Sequence, residues 1–201
     1  MGCFGSKQQR IFEDPSLLSA QTIFTVNEIK ALNEVFRKLG STLVDDGFIN
    51  REEFKLGLFM NSKQQSLFGD RMFDMFDLKH DGVIDFGEFV KTLSVFHPDA
   101  PQAEKVIFAF KLYDIWQNGF IEKQEVKEMI VELLHESNLI VADDIIEVMV
   151  EKTFEEADLG KDGKIDIEEW KDLAARKPSV LRNMTIPHLR DMTTFPSFCR
   201  R

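Results

Sequence analysis

The chain has 201 residues, a formal net charge of −10 and a sequence pI near 4.9. This acidity argues against a nucleic-acid partner, because proteins that bind nucleic acid neutralise its phosphates with Lys and Arg. Hydrophobic residues make up 43% of the sequence, which excludes an acidic disordered tail and allows a core of considerable size. The aromatic residues are 19 Phe, 2 Trp and 1 Tyr, and Phe favours apolar packing because its ring carries no hydrogen-bonding group.

The first feature in chain order is the sequence MGCFGS. Gly2 and Ser6 fit the N-myristoylation pattern, and Cys3 stands beside the acylated glycine. Since one myristoyl chain holds a protein on a membrane only marginally, we expect palmitate on Cys3 as the second anchor. Residues 1–24 are predicted to form a lipidated segment at the cytoplasmic face of a membrane, with the plasma membrane as first choice and some protein in the cytoplasm. An unmodified, disordered start is the alternative.

A repeated pattern follows along the rest of the chain. In each copy a Gly is followed two residues later by Ile and six residues later by Glu, and the flanking apolar residues recur at i, i+3, i+4 and i+7, which predicts amphipathic helices. Thr25 and Glu28 form a capping box that opens the first of these helices. The copies are GFINREEF from Gly47, GVIDFGEF from Gly82, GFIEKQEV from Gly119 and GKIDIEEW from Gly163.

The stretch SVFHPDAP, residues 94–101, contains two prolines and divides the copies two and two. We therefore predict an all-α protein of two lobes, residues 25–97 and 98–178, with residues 179–201 as a C-terminal lid over an apolar groove or a surface tail. Each lobe pairs two helix–loop–helix units. The Ile two residues after each repeated Gly, which is the eighth position of its loop, is expected to join the paired loops by a short β contact.

This loop pattern resembles the EF-hand, which wraps oxygen atoms from positions 1, 3, 5, 7, 9 and 12 of a 12-residue loop around Ca²⁺, with Gly at position 6. Position 3 departs from the pattern, since it holds Lys79, Trp116 and Gly160. Calcium accepts six to eight oxygens and water can fill a gap, so we expect affinities of ~10⁻⁷–10⁻⁵ M. The expected order of affinity is loop 4 (residues 158–169), then loop 2 (77–88), then loop 3 (114–125).

The predicted ligands are carboxylates, one amide and the main-chain carbonyls at position 7. In loop 4 they are Asp158, Asp162, the Lys164 carbonyl, Asp166 and Glu169. In loop 2 they are Asp77, Asp81, the Val83 carbonyl, Asp85 and Glu88. In loop 3 they are Asp114, Asn118, the Phe120 carbonyl, Glu122 and Glu125.

Loop 1 does not fit a 12-residue register, because counting back from Gly47 places Thr42 at position 1 and Val44 at position 3. A longer loop over residues 40–53 offers main-chain carbonyls, Asp45 or the neighbouring Asp46, and Glu53 as the closing ligand. The composition by itself favours a structural unit that only pairs with loop 2.

Taken together, the chain is similar to the plant calcineurin B-like calcium sensors of the EF-hand superfamily over essentially its whole length. The segments that carry the resemblance are MGC..SK, VDDG.IN.EEF.L.LF, VIDFGEFV, LSVFHP and FPSF. It implies acylation of Gly2 and Cys3, phosphorylation of Ser197 by the partner kinase, and a calcium-binding extended first loop that uses Asp45 and Glu53. It also implies a non-enzymatic sensor that binds the autoinhibitory helix of a serine/threonine kinase, activates it and recruits it to a membrane.

Two other functions remain open from the sequence, a calcium buffer and a regulatory subunit of a protein phosphatase. A buffer has no need of a lipid anchor, whereas the calcineurin relatives of the fold make a phosphatase partner reasonable. The sequence leaves open whether the protein forms a homodimer.

Overall fold

The computed structural model describes residues 14–59, 67–136 and 139–191. These ranges are mostly helical, as the repeated pattern predicts, and the all-α fold of paired helix–loop–helix units is confirmed. The helices are α1 (Pro15–Gln21), α2 (Val26–Leu39), α3 (Arg51–Phe59), α4 (Leu67–Phe76), α5 (Phe86–Ser94), α6 (Gln102–Tyr113), α7 (Lys123–Glu136), α8 (Asp143–Ala157) and α9 (Ile167–Arg176). Two 3₁₀ turns follow, Pro178–Met184 and Pro187–Asp191.

Short antiparallel strands join the loops two by two. The strands are β1 (Ile49–Asn50), β2 (Val83–Ile84), β3 (Ile121–Glu122) and β4 (Lys164–Ile165). Strand β1 pairs with β2 through Ile49 and Ile84, and β3 pairs with β4 through Ile121 and Ile165. All four isoleucines are buried, so the position-8 contact tethers the loops in pairs and closes each core against solvent.

Helix α1 precedes the first helix that the sequence pattern predicts. Asp14 caps it by accepting a hydrogen bond from the Ser16 N–H at 2.9 Å, and Pro15 occupies the first turn. Leu18 is completely buried where α1 packs against α2 and α5. Seven residues with one buried side chain are too short for periodicity to reveal, which is why the pattern missed this helix. The predicted Thr25–Glu28 capping box is present at the start of α2.

The core is largely built from phenylalanine, and it continues across the proline-containing stretch between α5 and α6. Phe96 in that stretch is buried, with its ring 6.5 Å from the Phe76 ring of α4 and 5.1 Å from the Phe108 ring of α6. His97 is also buried and packs edge-on against Phe24 at 5.4 Å. The stretch is therefore a packed junction between the two halves of the protein.

The C-terminal segment, residues 178–191, packs against α6, α9 and this junction. Leu181, Met184 and Leu189 are buried, and the Ile186 N–H donates to the Phe96 carbonyl at 2.9 Å. The predicted lipidation sites Gly2 and Cys3 and the predicted phosphorylation site Ser197 lie outside the described residues. Within the described ranges, no helix combines the length and the apolar character needed to cross a membrane.

Candidate metal centre

Each loop turns at its position-6 glycine, which adopts a positive φ of 83° to 91° that other residues rarely reach. In loops 2, 3 and 4 the turn is fixed by the aspartate at position 1. In loop 2, Asp77 accepts hydrogen bonds from the Asp81 N–H at 3.1 Å and from the Gly82 N–H at 2.9 Å. The same pair of bonds recurs at Asp114 in loop 3 and at Asp158 in loop 4.

The glutamate at position 12 reaches back across its loop. In loop 4, Glu169 accepts from the Gly160 N–H at 2.8 Å and from the Asp166 N–H at 3.0 Å. Glu88 and Glu125 accept from the matching amides of loops 2 and 3. The carboxylate at position 12 thus accepts from the amides of positions 3 and 9, which ties the end of the loop to its beginning.

Position 9 is the N-cap of the helix that leaves the loop. Asp85 accepts from the Glu88 N–H at 2.8 Å, and Asp166 accepts from the Glu169 N–H at 2.8 Å. With the reciprocal bonds from position 12, these pairs form capping boxes at the starts of α5 and α9. The residues predicted as calcium ligands are therefore also the residues that begin the helices.

Loop 1 closes in the same way despite its longer register. Glu53 is fully buried and accepts from the Leu43, Val44 and Asn50 N–H groups at 3.1, 3.0 and 3.1 Å. Asn50 returns a bond by accepting from the Glu53 N–H at 3.0 Å, so it stands where Asp85 stands in loop 2. Asn50 is not among the predicted ligands, although its place three residues before Glu53 is the signal that identifies it. The geometry thus gives loop 1 a closing carboxylate like that of its partner.

Gly40 begins this longer loop where the main chain passes itself closely. A Cβ at Gly40 would lie 2.3 Å from the Phe48 carbonyl oxygen, which no side chain tolerates. The glycine therefore allows the two ends of loop 1 to approach each other.

The chemistry of the loops fits a hard divalent cation. Glu53, Glu125, Glu88, Asp77 and Asp114 are all buried, and carboxylates in such positions are normally paired or bound to metal. Oxygen donors of this kind are the ligands that Ca²⁺ takes. The donor set therefore suits Ca²⁺ at loops 1, 2 and 3, and loop 4 offers the same positions with greater exposure.

The ionisation of two closing glutamates points the same way. Burial raises the pKa of Glu88, and the neighbouring Asp85 carboxylate raises it further against opposing amide hydrogen bonds. Burial also raises the pKa of Glu125, with Asp114 and Glu122 adding to the shift against its amide bonds. A bound cation offsets both effects, because it compensates lost hydration and repulsion between like charges.

The residues at position 3 of loops 2, 3 and 4 affect their loops in three different ways. The side chain of Trp116 is 48% exposed, and the main-chain N–H of this residue donates to Glu125 at 2.8 Å. Gly160 leaves ordinary space, since a Cβ there would lie 3.4 Å from Glu169 Oε1. Lys79 turns its ammonium onto Asp85, itself a predicted ligand.

In the described ranges, three or more acidic, His or Cys side chains do not already converge on one metal position. The predicted ligands lie in the same loops, and many of their oxygens are engaged by backbone amides. A cation that binds must therefore replace some of these backbone amides at the carboxylate oxygens.

Known proteins resemble this chain along most of its length. An EF-hand domain pair model matches residues 103–174, and an EF hand model matches residues 68–94. Calcineurin B-like protein 5 of Arabidopsis thaliana is 50% identical over 203 residues, covering 100% of each chain. The calcineurin B chain of Schizosaccharomyces pombe is 34% identical over 182 residues, covering 90% of this chain and 98% of that protein. Calcium and integrin-binding family member 2 of Danio rerio is 30% identical over 185 residues, covering 89% of this chain and 97% of that protein.

Proposed function

Because this chain belongs to the plant calcineurin B-like family of calcium sensors, which bind Ca²⁺ and are not enzymes, we propose that it regulates a serine/threonine protein kinase at a membrane. Its partner is a kinase of the type that interacts with calcineurin B-like proteins. The protein binds an amphipathic autoinhibitory helix of this kinase and so activates it. The observation that carries the proposal is the full-length match to calcineurin B-like protein 5, together with loop closure by glutamate at all four repeats.

An apolar surface suited to such a helix lies on α8. Ile145, Val148 and Met149 are 52%, 66% and 49% exposed, and their i, i+3, i+4 spacing places them along one side of the helix. The acidic character of the whole chain complements a helix whose polar side carries Lys or Arg. These features support an amphipathic, basic helix as the ligand.

The loop geometry supports a route by which calcium binding reaches the helices. When bound, Ca²⁺ supplies the positive charge that draws the loop carboxylates together. Glu88, Glu125 and Glu169 stand in the first turns of α5, α7 and α9, so movement of their carboxylates is passed directly to those helices. The conformation in which these carboxylates are drawn together would thereby be the one that binds the kinase helix.

Recruitment to a membrane rests on the acylation motif at Gly2 and Cys3. The acidic chain gains little from an anionic lipid surface, so two acyl chains supply the attachment. The kinase then phosphorylates Ser197 in the FPSF sequence. We propose the cytoplasmic face of the plasma membrane as the principal location.

Calorimetric titration of a synthetic kinase autoinhibitory helix into the protein, with calcium and with chelator, tests this function. We expect binding at least about tenfold tighter with calcium, which corresponds to ~1.4 kcal/mol. Equal binding in both conditions would indicate a constitutive scaffold, and no binding in either would reject the kinase proposal.

A phosphatase is the second candidate partner, because the Schizosaccharomyces pombe relative is by name a subunit of calcineurin. Competition decides between the two. A phosphatase catalytic chain that displaces the kinase helix at equal concentration would favour the phosphatase partner, and failure to displace it would favour the kinase.

A further inference from the structure

In loop 2, a lysine side chain already forms an ion pair with the carboxylate at position 9. The Lys79 ammonium bonds Asp85, and the lysine side chain is 57% exposed while that of Asp85 is 25% exposed. The ammonium of Lys79 therefore lies on a predicted calcium ligand of its own loop.

In loop 3, the carboxylate at position 9 pairs with a lysine from loop 4. The Lys164 ammonium lies 3.2 Å from Glu122 Oε1 and 5.1 Å from the centre of the Phe120 ring. The β3–β4 register places Lys164 directly opposite Glu122, so the strand pairing holds the ammonium in place. The Asn118 amide also donates to Glu122 Oε1, at 3.1 Å.

Loop 4 differs from both. Asp166 at its ninth position accepts hydrogen bonds from the Glu168 and Glu169 N–H groups, each at 2.8 Å. Within residues 14–59, 67–136 and 139–191, no lysine or arginine side chain pairs with Asp166. Among the described residues, the donors that a metal would have to replace at this carboxylate are backbone N–H groups.

We propose that Lys79 and Lys164 are built-in counter-cations of loops 2 and 3, so that calcium fills loop 4 without displacing a lysine but displaces one from each of the other two loops. The inference rests on calcium binding by the loops and not on the kinase partner.

The physical basis is competition for the same oxygen. An ammonium bonded to a ligand carboxylate neutralises part of the loop's charge, and it repels a divalent cation that approaches the same group. It must therefore swing into solvent before Asp85 or Glu122 can ligate, which the exposure of both lysine side chains allows. The free energy of breaking the ion pair is subtracted from the free energy of binding calcium.

Lys164 also connects two loops. Its carbonyl is a predicted ligand of loop 4, while its ammonium pairs with a predicted ligand of loop 3. When loop 4 binds calcium, the Lys164 backbone moves. This movement changes the ion pair between Lys164 and Glu122 that opposes calcium binding in loop 3. The consequence is an order of filling in which loop 4 precedes loop 3.

Substitution to methionine tests the proposal, because methionine keeps the length of the side chain and removes the charge without adding an oxygen. The variants are Lys79→Met and Lys164→Met, and the latter leaves the Lys164 carbonyl in the backbone. Lys161→Met is the matched control, since Lys161 is an exposed lysine at position 4 of loop 4 and no ion pair joins it to the predicted ligands in the described ranges. Lys79→Arg keeps the charge and should behave like the natural chain.

The readout is the amide resonance of the position-6 glycine in each loop during a calcium titration by ¹H–¹⁵N NMR. The Gly82, Gly119 and Gly163 N–H groups each donate to the position-1 aspartate of their own loop, at 2.9, 2.9 and 2.8 Å. Each resonance therefore reports occupancy of its own loop. The chelated spectrum of every variant verifies that it is folded, and Lys79→Ala, which also removes the charge without adding an oxygen, replaces Lys79→Met if that variant is unfolded.

We expect Lys79→Met to move the Gly82 midpoint, and Lys164→Met the Gly119 midpoint, to about fivefold lower calcium, the scale of an exposed ion pair. Gly163 should titrate first in the natural chain, and Lys161→Met should leave the Gly82 and Gly119 midpoints unchanged within about twofold. Midpoints that do not move in the first two variants, or that move equally in Lys161→Met, would overturn the proposal.

Discussion

At the scale of single residues, the ligand positions of the loops have two roles. Asp85 and Asp166 cap the helices that follow their loops, and Glu88 and Glu169 return the bond to the cap. A capping box of this kind stabilises a helix by roughly 1 kcal/mol. Replacing any of these residues therefore changes both the metal site and the start of a helix, so its effects on calcium binding must be compared between matched positions.

Glu169→Gln and Glu125→Gln form such a matched pair. Both change position 12 and both keep an amide oxygen to accept the backbone N–H groups. We expect Glu169→Gln to weaken the tightest calcium-binding step by roughly tenfold or more, because it removes one charge and a bidentate ligand from loop 4. Glu125→Gln should weaken that step less, since Glu122 in loop 3 is already paired with Lys164. Calorimetric calcium titration measures both, and equal losses would contradict the ranking of the loops.

At the scale of elements, the junction between α5 and α6 and the C-terminal segment support each other. Lys105 of α6 is buried and donates to Thr185 Oγ1 at 2.6 Å, and Arg190 pairs with Asp99. His97 lies in the same junction, where its Nδ1 accepts the Asp99 N–H at 3.1 Å. That bond requires the neutral imidazole, because a protonated ring has no acceptor nitrogen.

This geometry predicts that the junction loses stability in mild acid. Burial lowers the pKa of His97, although Asp99 and Glu28 oppose the shift. The unfolded chain therefore binds a proton at higher pH than the folded protein, and the stabilisation from neutral His97 is present above the unfolded value near 6.5. It is lost as pH falls below that value towards the lower folded pKa.

Urea unfolding in chelator between about pH 7.5 and pH 5.5 measures this effect. As the pH is lowered, we expect the free energy of unfolding to decrease less steeply in His97→Gln than in the natural chain. His80→Gln is the control, because His80 is exposed at loop position 4 and Gln117 already occupies that position in loop 3 with the same φ of 55°. If His97→Gln and His80→Gln showed the same pH dependence, the assignment to His97 would be wrong.

At the scale of the whole molecule, a calcium-binding body of four paired loops is joined to ends that carry motifs of another kind. The body binds the cation and, in the proposed function, the kinase helix. In the same proposal, the N-terminal motif decides where that complex forms. Calcium binding and membrane attachment are therefore separable properties, and each can be removed by substitutions that leave the other in place.

Cys3→Ser tests the attachment. A myristoyl chain alone binds membranes with an affinity on the order of 10⁴ M⁻¹, so we expect this variant to be released from sedimented membranes by washing. Cys199→Ser, which changes the other cysteine, should remain attached. Unchanged retention of Cys3→Ser in cells that acylate the protein would show that a second acyl chain is not needed.

The sequence by itself determined the fold class, the four loops, their predicted ligands and the family. It could do so because each loop is a contiguous run whose glycine, isoleucine and glutamate stand at fixed spacing, and because the helices carry a regular apolar period. The closing role of Glu53 in loop 1 was predictable for the same reason, because Asn50, which accepts the Glu53 N–H, lies only three residues before it. Local patterns of this kind do not depend on the rest of the fold.

The tertiary structure alone decided which remote groups meet. The pairing of Lys164 with Glu122 follows from strand register between two loops, and that of Arg190 with Asp99 joins residues 91 positions apart. Helix α1 likewise owes its place to one leucine buried against α2 and α5. Such contacts are set by how amphipathic helices pack against one another, and the apolar period of a helix indicates which face is buried but not which remote residues that face meets.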